Sequence, residues 1–393
     1  MDVSEILKGY DPEKVTIGVL GGHSALDVCH GATKLGFDTV VVCQKGREKT
    51  YEKYYKRRFE GNDERGCVGN IILVDEFGDV VKESVQEELR GLNTIFIHNR
   101  YFWVYCDFEK VEKDFKVPIF GLREGVKLEE RDMPNNQYEL LEKAGIRIPE
   151  IVRKGASCFD EAKTKMVLDE HFDMGGSPLI VKANEAERSY ERAFFVITNT
   201  EAFFKISAEM IKAGKINQAD LDKAVIEEFV IGAQVNFNYF YSPLSGELEL
   251  MGTDTRRQTS LDGFLRLDAL TQTELLNGGY QPSMIETGHI SCTVKESIVE
   301  KAYEVGEKFV AVMKKEVAPG MIGPFALQGA MASFDGREEF VVFDVSMRIP
   351  GSPGTRFTPY SGYLYGDSIS YGERIAMEIK KAVSEGRLAE LLT

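Results

Sequence analysis

The sequence predicts a doubly wound α/β unit followed by an α+β unit, and three observations carry that expectation. An apolar run at 15–20 breaks at Gly21-Gly22-His23-Ser24, an amphipathic stretch at 25–35 ends at Gly36, and the strand pattern resumes at 38–43. Near Glu129 the pattern changes to a helix carrying 138–144, closed by Gly145 and followed by Pro149, which marks the passage into a new unit. Beyond it, turn signals at Ser245-Gly246 and Asp335-Gly336 predict two β-hairpins.

The strand, turn, helix and strand at 15–43 make a βαβ unit, so its strands are parallel. Short apolar runs at 70–74, 93–97 and 117–120, with a helical pattern at 81–92, extend the same sheet. The charged segment Tyr51-Glu52-Lys53-Tyr54-Tyr55-Lys56-Arg57-Arg58 is followed at once by Glu60, Asp63 and Glu64, which predicts a solvated helix face rather than a nucleic-acid patch. In the second unit, strands are expected at 178–182, 194–197 and 224–230, with a helix at 200–213.

The 393 residues include 48 basic and 63 acidic side chains, a net charge of −15, so the average field repels phosphate backbones and anionic lipid surfaces. Nucleic acid and membrane are disfavoured as partners. With 43% hydrophobic and 28% charged residues the composition is that of a folded protein, and no run approaches the ~18 apolar residues of a membrane span. Cys29, Cys43, Cys67, Cys106, Cys158 and Cys292 lack CxxC or metal-like spacing and are expected as buried free thiols. The opening Met1-Asp2-Val3-Ser4-Glu5 lacks the order of a signal peptide, and a cytoplasmic location is expected.

The residues with chemical potential gather at strand ends. The turn at 21–24 lies where a strand's carboxyl end meets a helix amino terminus, so its N–H groups can hold an anion; a tight turn capped by Ser24 explains the same residues. His98-Asn99-Arg100 ends another parallel strand and belongs to the same sheet edge, whereas His30 and His171 read as structural. Lys182 ends the strand Leu179-Ile180-Val181 and suits the charge of a triphosphate, or is an ordinary surface lysine. Glu227 and Glu228, inside an apolar strand, need either a ligand or a solvated sheet edge. If Asp335-Gly336 is a two-residue turn, Gln328 and Asp344 are opposite or diagonal and can share one cation. Alternation then sets Asp344, Ser346 and Arg348 on one face and Phe343 and Val345 on the other; a plain solvent-facing surface is the alternative.

In this order, a strand-end lysine, an acidic hinge strand and a late pair of oxygen ligands resemble the ATP-grasp fold, and the details resemble the archaeal formate-dependent FAICAR synthetase family. The similarity runs through nearly the whole chain. It includes His23-Ser24-Ala25-Leu26, His30-Gly31-Ala32, Lys45-Gly46-Arg47, Tyr239-Phe240-Tyr241-Ser242-Pro243 and Glu249-Leu250-Met251-Gly252. It continues through Thr287-Gly288-His289-Ile290, Pro319-Gly320-Met321-Ile322-Gly323-Pro324-Phe325, Phe343-Asp344-Val345-Ser346 and Arg374-Ile375-Ala376. The resemblance implies a Rossmann-like pre-ATP-grasp substrate domain at 1–125 and an ATP-grasp domain at 126–393. The latter would hold a lid at about 178–232 and a catalytic part at about 233–393. It also implies an enzyme that uses ATP with Mg²⁺ or Mn²⁺ to activate a carboxylate as an acyl phosphate and pass the acyl group to an amine. In the family these are formate and the purine ribonucleotide AICAR, and the products are FAICAR, ADP and phosphate. A homo-oligomer is expected.

Carried over by resemblance, Lys182, Arg256 and Arg348 would be the catalytic cations, with Lys182 on the ATP phosphates. His23, Ser24, His98, Arg123, Arg256 and His289 would meet the nucleotide substrate. Glu227, Glu228 and Val230 would receive adenine and ribose, and Gln328 and Asp344 would hold the metal. The chain departs from the family at 183–192, where no glycine stands in the phosphate loop, at Leu122, at Asn99 and Arg100, and at 349–354. A ligase for another carboxylate and amine, or a non-catalytic paralogue binding a purine nucleotide, would fit the same resemblance.

Overall fold

Strand β1 (Thr16–Leu20) is apolar at its centre because both faces are covered, and every residue in it is buried. The structure, a computed structural model, describes residues 3–61, 63–131, 133–155, 160–183, 194–280, 282, 285–334, 336–351 and 353–393. The glycine-free stretch after Ala183, Cys158, Asp335 of the expected turn and Ser352 lie outside the described residues. After β1 come β2 (Asp38–Gln44), β3 (Arg58–Glu60), β4 (Asp63–Arg65), β5 (Asn70–Val74), β6 (Thr94–Ile97) and β7 (Ile119–Phe120). Five of them form a parallel sheet in the order β5-β2-β1-β6-β7. The strand order reverses between β1 and β6, which opens a crevice at their carboxyl ends, beside His23 and His98. The segment at 51–65 departs from expectation. A short helical turn, Thr50–Tyr54, leads into the exposed ribbon β3–β4, whose Arg58 and Arg65 both pair with Glu60. A ribbon wet on both faces satisfies a charged sequence as well as a helix does.

The second sheet is antiparallel, in the order β10-β9-β11-β8, from β8 (Ile151–Arg153), β9 (Leu179–Lys182), β10 (Phe194–Ile197) and β11 (Val225–Glu228). Leu168 and Phe203, from the helices Glu161–Asp173 and Thr200–Lys212, join Val181 and Ile226 in its core. The third sheet is also antiparallel, ordered β14-β13-β12-β15-β16, from β12 (Ala233–Ser242), β13 (Glu247–Gln258), β14 (Glu286–Ser291), β15 (Gly323–Phe334) and β16 (Arg337–Ser346). Its two hairpins turn where the sequence expects. One face packs Val235, Phe237, Leu250 and Val342 against Phe309 and Met313 of the helix Glu296–Glu316. On the other face Phe240 and Met251 join the core of the first sheet, and the far end is polar.

The helix Tyr371–Glu385 returns to the first sheet, placing Tyr371, Ile375 and Ile379 in its core beside Val28 and Ala32 of the helix Ala25–Lys34. The two helices cross on glycines. A Cβ on Gly372 would come 2.0 Å from the Asp27 carbonyl oxygen, and one on Gly31 would come 2.1 Å from the Glu373 nitrogen. Cys29, Cys43, Cys67 and Cys106 are buried free thiols and Cys292 is half-buried. Among the described residues no helix is long and apolar enough to cross a membrane.

Candidate active site

One register row crosses the polar end of the third sheet through Ser291, Asp254, Asn236, Gln328 and Asp344. Partners in register share a face, so these side chains stand side by side. Gln328 and Asp344 are direct partners because the β15–β16 ladder shifts by one residue beside them, leaving Phe343 as a bulge in β16. The bulge also corrects the expected alternation. Val342 and Val345 both enter the core, while the Phe343 ring turns toward Lys182, 5.9 Å from its Nζ.

Arg256 of β13 spans the pair: its Nη2 donates to Gln328 Oε1 and, at 3.1 Å, to Asp344 Oδ2. One cationic nitrogen therefore touches both oxygens. Hard oxygen donors of this kind suit Mg²⁺, and the guanidinium marks a position from which a divalent cation would reach both. Gln328 Nε2 donates to Ser346 Oγ at 2.8 Å, which turns the amide oxygen toward Arg256. Arg256 is the register partner of His289, whose ring lies between Asp254 at Nδ1 and Glu286, 2.9 Å from Nε2. Burial opposes charge on this ring, but the two carboxylates outweigh it and lift the His289 pKa to about 9. Asp254, fully buried, also accepts from Asn238 Nδ2 at 2.9 Å.

The first sheet supplies the opposite wall. Buried Asn99 donates to the carbonyls of Leu20 at 3.3 Å and His23 at 3.1 Å, tying the turn after β1 to the end of β6. Ser24 does not cap its helix. It holds a left-handed φ of 65°, and its Oγ donates to the Pro350 carbonyl at 2.8 Å, so the turn is fixed to the segment after β16. The His23 ring lies against Gly351, where a Cβ would come 2.3 Å from Nε2. Burial and the nearby Arg348 hold the His23 pKa down at about 3, and its Nδ1 is buried without a hydrogen-bond partner among the described residues. Arg348 is itself buried against Glu129, with Nε 3.4 Å from Oε1, and Arg100 reaches the same carboxylate at 3.5 Å.

These walls enclose a cleft of about 200 Å³ lined by His23, Arg256, His289, Gln328, Asp344 and Arg348, all expected from the sequence, by Arg100, expected at this sheet edge without a role, and by Glu286, which was not expected. Three of the residues expected to meet the nucleotide substrate do not line it. Ser24 is spent on Pro350. His98 is buried behind the wall, and burial with Arg348 and Arg123 lowers its pKa to about 3. Arg123 gives its guanidinium to the carbonyls of Val111 at 2.9 Å, Phe115 at 3.0 Å and Thr393 at 2.6 Å. A buried arginine needs such acceptors, and here the backbone supplies them.

Lys182 is neither at the surface nor alone. It forms a buried ion pair with Glu227, and its Nζ donates to Tyr138 Oη at 3.2 Å and to the Phe343 carbonyl at 3.4 Å. Burial and the charge of Arg131 pull the Lys182 pKa down to about 8 against the pull of Glu227. Glu227 is likewise no solvated edge residue, being 1% exposed. Glu228 lines a separate polar cleft of about 330 Å³ with Arg147, His171 and Ser177, and its N–H donates to the Glu150 carbonyl at 2.8 Å. Val230 follows β11, half-buried. Among the missed residues, Asn236 and Asn238 alternate with core residues in β12, a pattern that marks a polar sheet face.

The model for a protein of unknown function, DUF1246, matches residues 17–152, and that for a domain of unknown function, DUF1297, matches residues 202–393. The 5-formaminoimidazole-4-carboxamide-1-(beta)-D-ribofuranosyl 5'-monophosphate synthetase of Methanothermobacter thermautotrophicus is 35% identical over 395 residues, covering 100% of this chain and 98% of that protein. The protein of the same name from Methanocaldococcus jannaschii is also 35% identical, over 100% of this chain and 99% of its own length. The solved structure of an IMP biosynthesis protein PurP from Thermococcus kodakaraensis has a TM-score of 0.65 at 24% identity, covering 96% of this chain and 100% of that one. The ADP complex of N5-carboxyaminoimidazole ribonucleotide synthetase has a TM-score of 0.56 at 11% identity, covering 90% of this chain and 77% of that one. The fold shared with these structures is the ATP-grasp fold. At more than a third identity over its full length to two such enzymes, the chain belongs to the FAICAR synthetase family.

Proposed function

We propose that the protein is an ATP-dependent ligase that joins formate to the amine of AICAR, giving FAICAR, ADP and phosphate in purine (IMP) biosynthesis. The observation that carries this reading is the meeting, in one cleft, of an oxygen pair suited to a metal, the cations Arg256, Arg348 and His289, and neutral His23 from the first sheet's crevice. The names of the relatives support the product. A formate oxygen attacks the γ-phosphorus of ATP and the bond to the ADP oxygen breaks, leaving formyl phosphate. The amine nitrogen then attacks the formyl carbon, phosphate departs, and the nitrogen gives up a proton.

In this reading Lys182 turns from Glu227 to the triphosphate, and Glu227 accepts from the ribose hydroxyls. The backbone at Glu228 and Val230 receives adenine. Gln328 and Asp344 would hold Mg²⁺ or Mn²⁺, which when bound offsets charge on the phosphates. Arg256, released from that pair, and Arg348 face the transferring phosphoryl group and the carboxylate, where fixed cations stabilise developing charge. His23, with its open Nδ1, meets the ribonucleotide, and His289 adds a positive charge on the far wall. Ser24, His98 and Arg123 hold the crevice from behind. Exclusion of water protects formyl phosphate from hydrolysis. The reading includes a cytoplasmic, homo-oligomeric enzyme.

The test is incubation with ATP, formate and AICAR, read by mass for the added formyl group. ADP release without formylated AICAR would replace these substrates with another carboxylate and amine. ATP binding without ADP release would favour a non-catalytic nucleotide-binding protein.

A further inference from the structure

We infer that Tyr138 is a positioning residue for ATP, its hydroxyl holding Glu227 in place when Lys182 leaves Glu227 for the phosphates. The inference rests on the ATP-binding reading above. Tyr138 belongs to the helix Gln137–Lys143, outside the sheet that carries Lys182 and Glu227, and its ring is buried in the core beneath the third sheet. Its Oη nevertheless lies 2.9 and 2.8 Å from the two Glu227 oxygens, 3.2 Å from Lys182 Nζ and 3.2 Å from the Phe343 carbonyl oxygen.

A phenol has one proton to donate. Burial, and then the charge of Glu227, keep that proton on the oxygen, since both raise the Tyr138 pKa well above its ordinary value. The Glu227 carboxylate accepts the hydrogen bond from the phenol, while a phenol lone pair accepts one from Lys182 Nζ. The Phe343 carbonyl is served separately, by Arg131 Nη2 at 3.0 Å and by Lys182. Without nucleotide, Lys182, Glu227 and the bulge carbonyl are thus mutually satisfied.

A triphosphate draws Lys182 away and leaves Glu227 a buried carboxylate without its lysine. Tyr138 then supplies the hydrogen bond that holds the Glu227 carboxylate aimed at the ribose. Arg131 packs on the ring as well, its guanidinium 5.1 Å from the ring centre. One side chain thereby links the strands that grip ATP to the bulge next to Asp344.

Tyr138→Phe keeps the ring and removes the hydroxyl. Titration calorimetry of the full chain with ATP and Mg²⁺, and separately with AICAR, reads the effect. The ATP dissociation constant should rise about tenfold or more, the size expected for losing a hydrogen bond to a charged group, while that for AICAR stays within about twofold. In turnover, KM for ATP should rise more than kcat falls. Unchanged ATP affinity, or equal losses for ATP and AICAR, would overturn the assignment. Tyr138→Leu is the second hydroxyl-free variant should Tyr138→Phe not fold, with the same outcomes. Failure of the wild-type chain to bind ATP is a distinct result and removes the ATP reading together with this one.

Discussion

Gln328 and Asp344 face each other across β15 and β16 only because β16 carries the extra residue Phe343. In an unbulged ladder set by the two-residue turn, Asp344 would point to the opposite face from Gln328. Asp344→Ala should therefore lower ADP formation by roughly a hundredfold or more. Deleting Phe343 removes the bulge but sets Asp344 directly after Val342 and so still opposite Gln328, and this variant should keep ADP formation that Asp344→Ala loses. A loss in the deletion as large as that of Asp344→Ala would mean that keeping the two oxygens in register is not enough.

Lys182→Met leaves Glu227 buried without its cation. Unfolding by urea should register a loss of about 3–5 kcal/mol, and adding Glu227→Gln should recover most of it. If the two losses simply add, the ion pair is not formed in solution. Neither variant should release ADP.

His289 has a folded pKa of about 9 against an ordinary 6.5. The raised value means that its stabilising contribution is complete below pH 6.5 and disappears as pH rises through about 9. Lys182 acts in the opposite sense, since a pKa lowered from 10.5 to about 8 makes its contribution grow as pH rises across that interval. The histidine effect is therefore cleanest between pH 6.5 and 8. Wild-type stability should decline there, and His289→Gln should flatten the slope; an identical slope in the variant would assign the titration elsewhere.

A side chain at residue 351 would displace the His23 ring, since a Cβ there comes 2.3 Å from Nε2 and 2.6 Å from Cε1. Gly351→Ala should weaken AICAR binding by about tenfold with ATP binding little changed. His23→Ala should do the same, and the double variant should lose no more than either single one. Fully additive losses in calorimetry would show that residue 351 acts on something other than His23.

Much of this architecture was legible because strand and turn signals are local. The apolar runs of the first sheet and the glycine turns of the two hairpins specify their elements without help from distant residues. The strand-end position of Lys182 was equally visible, but its partner was not. Glu227 lies on a neighbouring strand, and Tyr138 reaches both from a helix packed beneath the third sheet. The Phe343 bulge has no glycine to announce it. Arg123 and Ser24 look like ligand contacts in sequence, yet the fold spends them on backbone carbonyls, a choice made by tertiary packing. Charge in the segment at 51–65 reports wetness and cannot separate a helix face from a ribbon exposed on both sides.

The crossing of Gly31 and Gly372 ties a helix made early in synthesis to one made near its end. Until Tyr371–Glu385 leaves the ribosome, the face of the helix Ala25–Lys34 bearing Val28 and Ala32 stays bare, and the amino-terminal half must wait in a partly finished, sticky form. Nascent chains halted short of Tyr371 should accordingly be cut by protease within that half and should recruit chaperones, whereas released chains should resist.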